Sequence, residues 1–295
     1  MKEERYCVAD HPLRIRYEEE EKEPLLSNFD NFRIAYDDTR EDQFCVNVVS
    51  HLDDWDEDLH QIGVFDCGGN DYAVYRRDDD TYQFAIYNPQ GELCVKMIAE
   101  SKFRISKVML VSSQIENRRF GLNNSMMLAY SFSLCEEDTL LVHSSVIRHA
   151  GKGYLMTAPS GTGKSTHTYL WYKNIPDCDL MNDDNPIIRI INGQAIVYGS
   201  PWSGKTPCYR NINAPIGGII RIQRGPENII RRLSAIEAFT MMLPSCNNMK
   251  WDKRVYTSVC SSLTHLISAT RLWELECRPD REAAIVCHNA VVQDS

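Results

Sequence analysis

The 295-residue sequence contains no run approaching the ~18 uninterrupted apolar residues of a membrane span. Its opening, "MKEERYCVADHPLRIRYEEEEKEP", lacks the apolar core that a secretory signal needs. The 11 cysteines are scattered singly, odd in number and without a C-x-x-C pair. A secreted disulfide framework would be even and regularly spaced, and a zinc site would show paired ligands. The thiols are therefore expected to be buried or incidental, in a reducing cytoplasm. Basic residues are in the minority, 32 Lys+Arg against 41 Asp+Glu, for a formal charge of −9. Nucleic acid needs a Lys/Arg-rich face, so neither nucleic acid nor membrane is expected as a partner. Internal repeats and low-complexity tracts are missing too. What remains, 43% hydrophobic and 25% charged, is an ordinary globular composition, long enough for one large core or two modest ones.

The first third is β-rich and acidic. "YAVYRRDDDTYQFAIYNPQGELCVKMIAE" alternates apolar and polar residues in three short runs, separated by the turn-forming "RRDDD" and "NPQGE", which predicts an antiparallel meander. The acidic "YEEEEKEP" reads as a solvated surface segment. In "NRRFGLNNSMMLAYSFSLCEEDTL" the period lengthens, predicting a helix after an Asn cap at Asn123 or Asn124, with Met126 and Met127 as packing residues. From Thr139 onward the pattern is strand, loop, helix, strand. "TLLVHSSVIRHAGKGYLMTAP" holds two strands joined by a glycine turn, and "NPIIRIINGQAIVYGSP" a hairpin turning at Asn192-Gly193. "IGGIIRIQRG" reads as a buried strand, and "SAIEAFTMMLPS" as a helix with a Ser234/Glu237 capping box. The expected organisation is a β-rich N-terminal domain over 1–110 and an α/β domain over 111–295, with the boundary between residues 100 and 138.

The segment "YLMTAPSGTGKSTHTYLW" places a small-residue loop between an apolar strand and a helix. Ala158-Pro159-Ser160-Gly161-Thr162-Gly163-Lys164-Ser165 fits the Walker A form G-x-x-x-x-G-K-[ST] except at its first position. Such a P-loop aims successive backbone N–H groups at phosphate oxygens from the positive end of a helix. One extra methyl group at Ala158 is tolerable where φ is negative. Ser160, Gly161, Thr162, Gly163 and Lys164 would then cradle a nucleotide, with Lys164 reaching the β- and γ-phosphates. Ser165 would hold Mg²⁺ through its hydroxyl, and Thr166 would cap or line the phosphate side. A magnesium nucleotide also needs a nearby carboxylate. "DLMNDDNPIIRI" supplies Asp183 and Asp184 at a predicted strand end, where one can orient the metal and the other accept a proton.

The ordered set "VHSSVI…GKGYLMTAPSGTGKST…NDDNPII" is similar to the nucleotide-binding core shared by HPr kinase/phosphorylase and phosphoenolpyruvate carboxykinase. The resemblance covers about Leu140 to Asn185 closely. It implies a P-loop kinase core with a mixed sheet after a small β-rich domain, using ATP and Mg²⁺. It further implies that His143 sits near metal and phosphates, that Asp183 is the catalytic base and that Asp184 is the metal-associated carboxylate; the residues alone leave those two roles exchangeable. The glycine-rich segment by which HPr kinases dock their protein substrate has no counterpart here, nor do the additional Arg and Lys residues of carboxykinases.

"VYGSPWSGKTPCYRN" offers Trp202 as a cover over the site, and Ser203, Gly204 and Lys205 as an anion-binding turn in which Lys205 steadies the γ-phosphate, with Arg210 close behind. Arg221, Arg224, Arg231 and Arg232 are expected to be mostly solvated or ion-paired. His167, His265 and His288 read as core or surface residues. The expected activity is ATP-dependent phosphorylation of a hydroxyl on a small molecule, amino acid or peptide. The alternatives are an HPr-type protein serine kinase/phosphorylase and a nucleotide-binding regulatory module. The acceptor and the oligomeric state, a homo-oligomer included, are left open.

Overall fold

A computed structural model describes residues 2–19, 24–35, 37–66, 71–159, 161–204 and 206–293. Contacts divide the chain into two compact units, Met1–Leu134 with Met249–Lys253, and Cys135–Asn248 with Arg254–Ser295. The division falls after Leu134, inside the expected 100–138 window but beyond residue 110. The helix Ile115–Ser133 therefore belongs with the first unit, where it packs on strands.

Unit 1 contains β1 (Lys2–Val8), β2 (His11–Tyr17), β3 (Cys45–Val48), β4 (Gln61–Asp66), β5 (Asp71–Arg76), β6 (Tyr82–Tyr87), β7 (Leu93–Ala99), β8 (Ile105–Leu110) and α1 (Ile115–Ser133). The strands form one sheet in the order β1-β2-β3-β8-β7-β6-β5-β4. The β5–β6–β7 meander is antiparallel, as its alternation predicts, and β3 pairs in parallel with both β2 and β8. Turn chemistry sets the register: at "NPQGE", Asn88 Oδ1 accepts the amides of Gln90 and Glu92 at 3.0 and 2.8 Å.

Helix α1 starts well before the expected asparagine cap. Its first turn follows Gln114, whose carbonyl accepts the amide of Arg118 at 3.0 Å. Asn123 and Asn124 lie inside the helix, where Asn124 Nδ2 donates to Phe120 O at 2.8 Å and Asn123 Oδ1 accepts from Asn28 at 2.8 Å. The polar first turns hid the start, whereas Leu122, Met126, Ala129 and Tyr130 recur at helical spacing and are all fully buried. Met126 and Met127 are core residues.

Unit 2 contains β9 (Thr139–Leu141), β10 (Ser144–His149), β11 (Lys152–Thr157), α2 (Lys164–Asn174), β12 (Cys178–Asp184), β13 (Ile187–Ile191), β14 (Gln194–Tyr198), β15 (Asn213–Arg224), β16 (Ile229–Arg232), α3 (Ala235–Met242), α4 (Lys253–Ala269), β17 (Leu272–Cys277) and α5 (Arg281–Gln293). The mixed sheet runs β12-β10-β11-β15-β14-β13-β9, with β17 pairing β15 and β16 pairing β17. Strand β15 runs parallel to β11 and β17 but antiparallel to β14, so one long strand joins the parallel and antiparallel parts. The β13–β14 hairpin turns at Asn192 and Gly193, both at positive φ (51° and 79°), as an Asn-Gly turn requires. The Ser234/Glu237 capping box is present at α3, and the Ser234 amide and hydroxyl hold the Glu237 carboxyl down to about 2.

Helices α2 and α5 pack against each other and cover the core cluster of Ile147, Tyr154, Met156, Trp171, Ile220 and Leu275. Trp171 is fully buried, its ring 5.3 Å from that of Tyr154 and 5.4 Å from that of His288. No disulfide joins the cysteines among the described residues. No helix among them is long and apolar enough to cross a membrane.

Candidate active site

The site is built at one end of unit 2 by four segments. The first is the turn between β11 and α2. Strand β11 lies between β10 and β15 and ends at Thr157, so its apolar register delivers the chain to the sheet edge at Ala158. Ala158 keeps a negative φ and belongs to the core. Thr162 N donates to Pro159 O at 3.1 Å, and Gly161 and Gly163 stand at φ 74° and 131°. Gly163 is the N-cap of α2 and supplies no side-chain cap, so the first amides of that helix are not capped by its own N-terminal side chain. Thr166 is exposed on the first turn and does not cap it. Ser160 and Lys205 lie outside the described residues.

Lys164 is only 9% exposed, and burial draws its ammonium below the ordinary lysine range, opposed by the charges of Asp184 and Asp183. Its Nζ hydrogen-bonds His143 Nε2 and lies 3.9 Å from Asp184 Oδ1, while His143 Nε2 is 3.0 Å from the same oxygen. His143, at the bend between β9 and β10, thus forms the centre of a cation–imidazole–carboxylate cluster with Lys164 and Asp184.

The acidic pair closes β12, which runs antiparallel to β10, with Ser145 opposite Asp183 and Ser144 opposite Asp184. Asp183 Oδ1 accepts from Ser145 Oγ at 3.0 Å and from Ser165 Oγ at 3.4 Å. Its Oδ2 accepts from the Thr206 amide at 3.2 Å. The Ser165 hydroxyl therefore meets Asp183, whereas Asp184 faces Lys164 and His143. Asn182, buried immediately before the pair, sets this turn: its Oδ1 accepts the amides of Asp184 and Asn185, both at 3.0 Å.

The fourth segment, the described residues of 199–210, lies across the acidic pair. Asn182 Nδ2 donates to Ser200 Oγ at 3.1 Å and to Trp202 O at 3.2 Å. Asp184 forms an isolated antiparallel bridge with Ser203. At the far end Arg210 donates to Leu180 O at 2.5 Å and to Asp179, which it shares with Arg148 at 2.8 Å from each. Trp202 is 3% exposed, so the expected cover is instead a packed anchor of this segment.

Two supports were not visible in the sequence pattern. Arg224, at the end of β15, donates to Gly161 O at 2.6 Å and Thr162 O at 3.1 Å, turning those carbonyls outward. Ser245, after α3, contacts Thr157 Oγ1 at 3.1 Å through its hydroxyl and accepts the His143 amide at 2.7 Å through its carbonyl. The other arginines behave as expected, Arg221 and Arg231 both pairing with Glu274.

His167 is a core residue whose two ring nitrogens have no hydrogen-bond partner among the described residues, and burial pushes it down to about 4. His265 and His288 do have partners, brought from distant positions: Asp138 at 2.8 Å and His149 at 3.2 Å.

Among the described residues no group of three or more His, Cys, Asp or Glu side chains could by itself hold a metal ion. The Ser165 hydroxyl beside the Asp183 carboxylate is nevertheless a hard-oxygen pair of the kind that suits magnesium, which is usually held by one or two carboxylates together with substrate phosphates.

No known family model matches the chain, and no curated protein matches it. Among solved structures, the Hpr(Ser) kinase/phosphatase from Coxiella burnetii is similar over 52% of this chain and 94% of that one, at 11% identity and a TM-score of 0.31. A likeness at that score carries no property of that enzyme across.

Proposed function

We propose that unit 2 is an ATP-dependent phosphotransferase and that the 158–165 turn is its phosphate-binding loop. The observation that carries this reading is one cluster: the Ser165 hydroxyl 3.4 Å from Asp183, and buried Lys164 beside Asp184 and His143. A buried ammonium at a helix start, next to glycines at positive φ, favours a polyanion over a neutral ligand. Lys164 would receive the β- and γ-phosphates, with His143 and Asp184 fixing its position until they arrive. Magnesium, held by Ser165 and the acidic pair, would supply charge neutralisation at the phosphates.

Asp183 is suited to the base because its two oxygens face different neighbours. Oδ1 is held by the Ser145 and Ser165 hydroxyls, while Oδ2 accepts, among the described residues, only the Thr206 amide at 3.2 Å and is the oxygen that would take the acceptor's hydroxyl proton. The reaction is then transfer of the γ-phosphoryl group to a hydroxyl on a small molecule, amino acid or peptide. Catalysis rests mainly on positioning and electrostatics. Cysteines that form no disulfide among the described residues fit a reducing compartment such as the cytoplasm.

Thermal shift with MgATP tests the binding half, and product analysis with a panel of hydroxylated metabolites and peptides tests the chemical half. Lys164→Ala should abolish MgATP-dependent stabilisation while leaving the unliganded melting temperature nearly unchanged. Asp183→Asn should retain stabilisation and lose transfer by about 10²–10⁴-fold, the usual contribution of a general base. Equal stabilisation of Lys164→Ala and the parent protein would overturn the reading.

A further inference from the structure

Of the hydroxyl side chains near the acidic pair besides Ser165, four are hydrogen-bonded within the site, and Ser144, opposite Asp184, has no partner among the described residues but is fully buried. Ser145 donates to Asp183, and Ser200 Oγ donates to Asn185 O at 2.6 Å. Ser203 Oγ donates to Thr206 O at 2.7 Å, and Ser245 shares a hydrogen bond with Thr157. Thr206 differs. It is exposed, its hydroxyl has no hydrogen-bond partner among the described residues, and its own amide lies 3.2 Å from Asp183 Oδ2. Asp183 is itself only 5% exposed, so few groups reach that oxygen.

We propose that Thr206 is a phosphate acceptor in cis, so that the protein phosphorylates itself at this residue. The inference rests on the phosphotransferase reading above and names its first substrate. The Thr206 Oγ1 is three bonds from the amide nitrogen, at most about 4 Å away in any staggered rotamer. The hydroxyl is thus tethered to an atom that itself lies 3.2 Å from Asp183 Oδ2.

The segment is held there by built structure. An added Cβ at Gly204 would lie 3.0 Å from Asp183 O and 3.2 Å from Asp184 Cβ, so the backbone lies directly on the pair. The Asp184–Ser203 bridge fixes one side, and Arg210, tied to Asp179 and Leu180, fixes the other. Tethering of this kind replaces a bimolecular encounter by a high effective molarity.

In the step itself, a bond forms between Thr206 Oγ1 and the γ-phosphorus of ATP, and the bond from that phosphorus to the β–γ bridging oxygen breaks. ADP leaves with the electron pair, and the hydroxyl proton passes to Asp183 and then to water. The product places a charge of about −1.5 to −2 next to two carboxylates.

The test is intact-mass and peptide-mapping mass spectrometry of the full chain after incubation with MgATP, alongside MgATP thermal shift. One phosphoryl group is expected at Thr206, with a first-order rate constant unchanged over a tenfold range of protein concentration. Thr206→Val should lose the adduct while keeping MgATP stabilisation. Thr206→Ser should restore it as phosphoserine, and Asp183→Asn should slow it at least 100-fold. MgATP stabilisation with no adduct, or with an adduct at another residue, overturns the self-acceptor proposal and leaves the phosphotransferase reading standing. A rate that scales with protein concentration overturns the cis assignment. Absence of MgATP stabilisation overturns both.

Discussion

On one side of the acidic pair, an added Cβ at Gly161 or Gly163 would meet nothing within 4 Å, yet both residues sit at positive φ. On the other side, Gly199 and Gly204 stay out of the positive-φ region, but an added Cβ would run into the Arg210 carbonyl oxygen in the first case and crowd Asp183 in the second. The 158–165 turn needs glycine for a backbone conformation, and the 199–206 segment needs it for room. The first arrangement leaves room beside the turn's Cα atoms. The second closes the neck of a segment whose ends, Gly199 and Arg210, touch.

The largest effect that would test this contrast is Gly199→Ala. The clash is with backbone rather than with a flexible side chain, so chemical denaturation should show a loss of about 3 kcal/mol, at the upper end for overpacking. A neutral substitution would mean that the neck has slack. Close behind comes acidification of the helix that carries the lysine. His167 is held down to about 4, below its unfolded value of 6.5, so the unfolded chain binds the proton first. Stability is fully present above pH 6.5 and is lost as pH falls through 4, by an amount on the order of 3 kcal/mol. Replacing His167 by Gln should flatten stability-versus-pH curves in that window, and an unchanged slope would remove His167 from the account. The smallest effect is Gly163→Ala, where a non-glycine residue at φ 131° costs about 1–3 kcal/mol of strain with no steric clash. It should weaken MgATP stabilisation more than Gly161→Ala does at φ 74°. The reverse order would place the more constrained turn position at 161.

Much of unit 2 was legible in the sequence because its signals are local. Asn192-Gly193 turned as expected, the capping box formed at Ser234 and Glu237, and the glycines of the Walker A-like segment fell between a strand and a helix. The start of α1 was not legible, since its first turns bear charged and amide side chains instead of an apolar stripe. Nor were the supports of the site. Ser145 reaches Asp183 only because β10 and β12 are antiparallel in one register, and Arg224 reaches Gly161 only because β15 lies parallel to β11. Such pairings depend on strand order, which no short window of residues contains. Asn182 was the exception that left a trace, since an asparagine two residues before an amide in need of a partner is a turn signal in its own right. Trp202 misled because an exposed-looking turn residue proved to be packed.

The alanine at position 158 has a consequence for how the turn meets the sheet. Its side chain lies in the same apolar cluster as Met156 and Trp171. The consensus glycine would forfeit one buried methyl, roughly 0.8 kcal/mol, and widen the unfolded ensemble by a further ~0.4–1 kcal/mol. Departure from the consensus at this position stiffens the junction where the chain leaves the central strand.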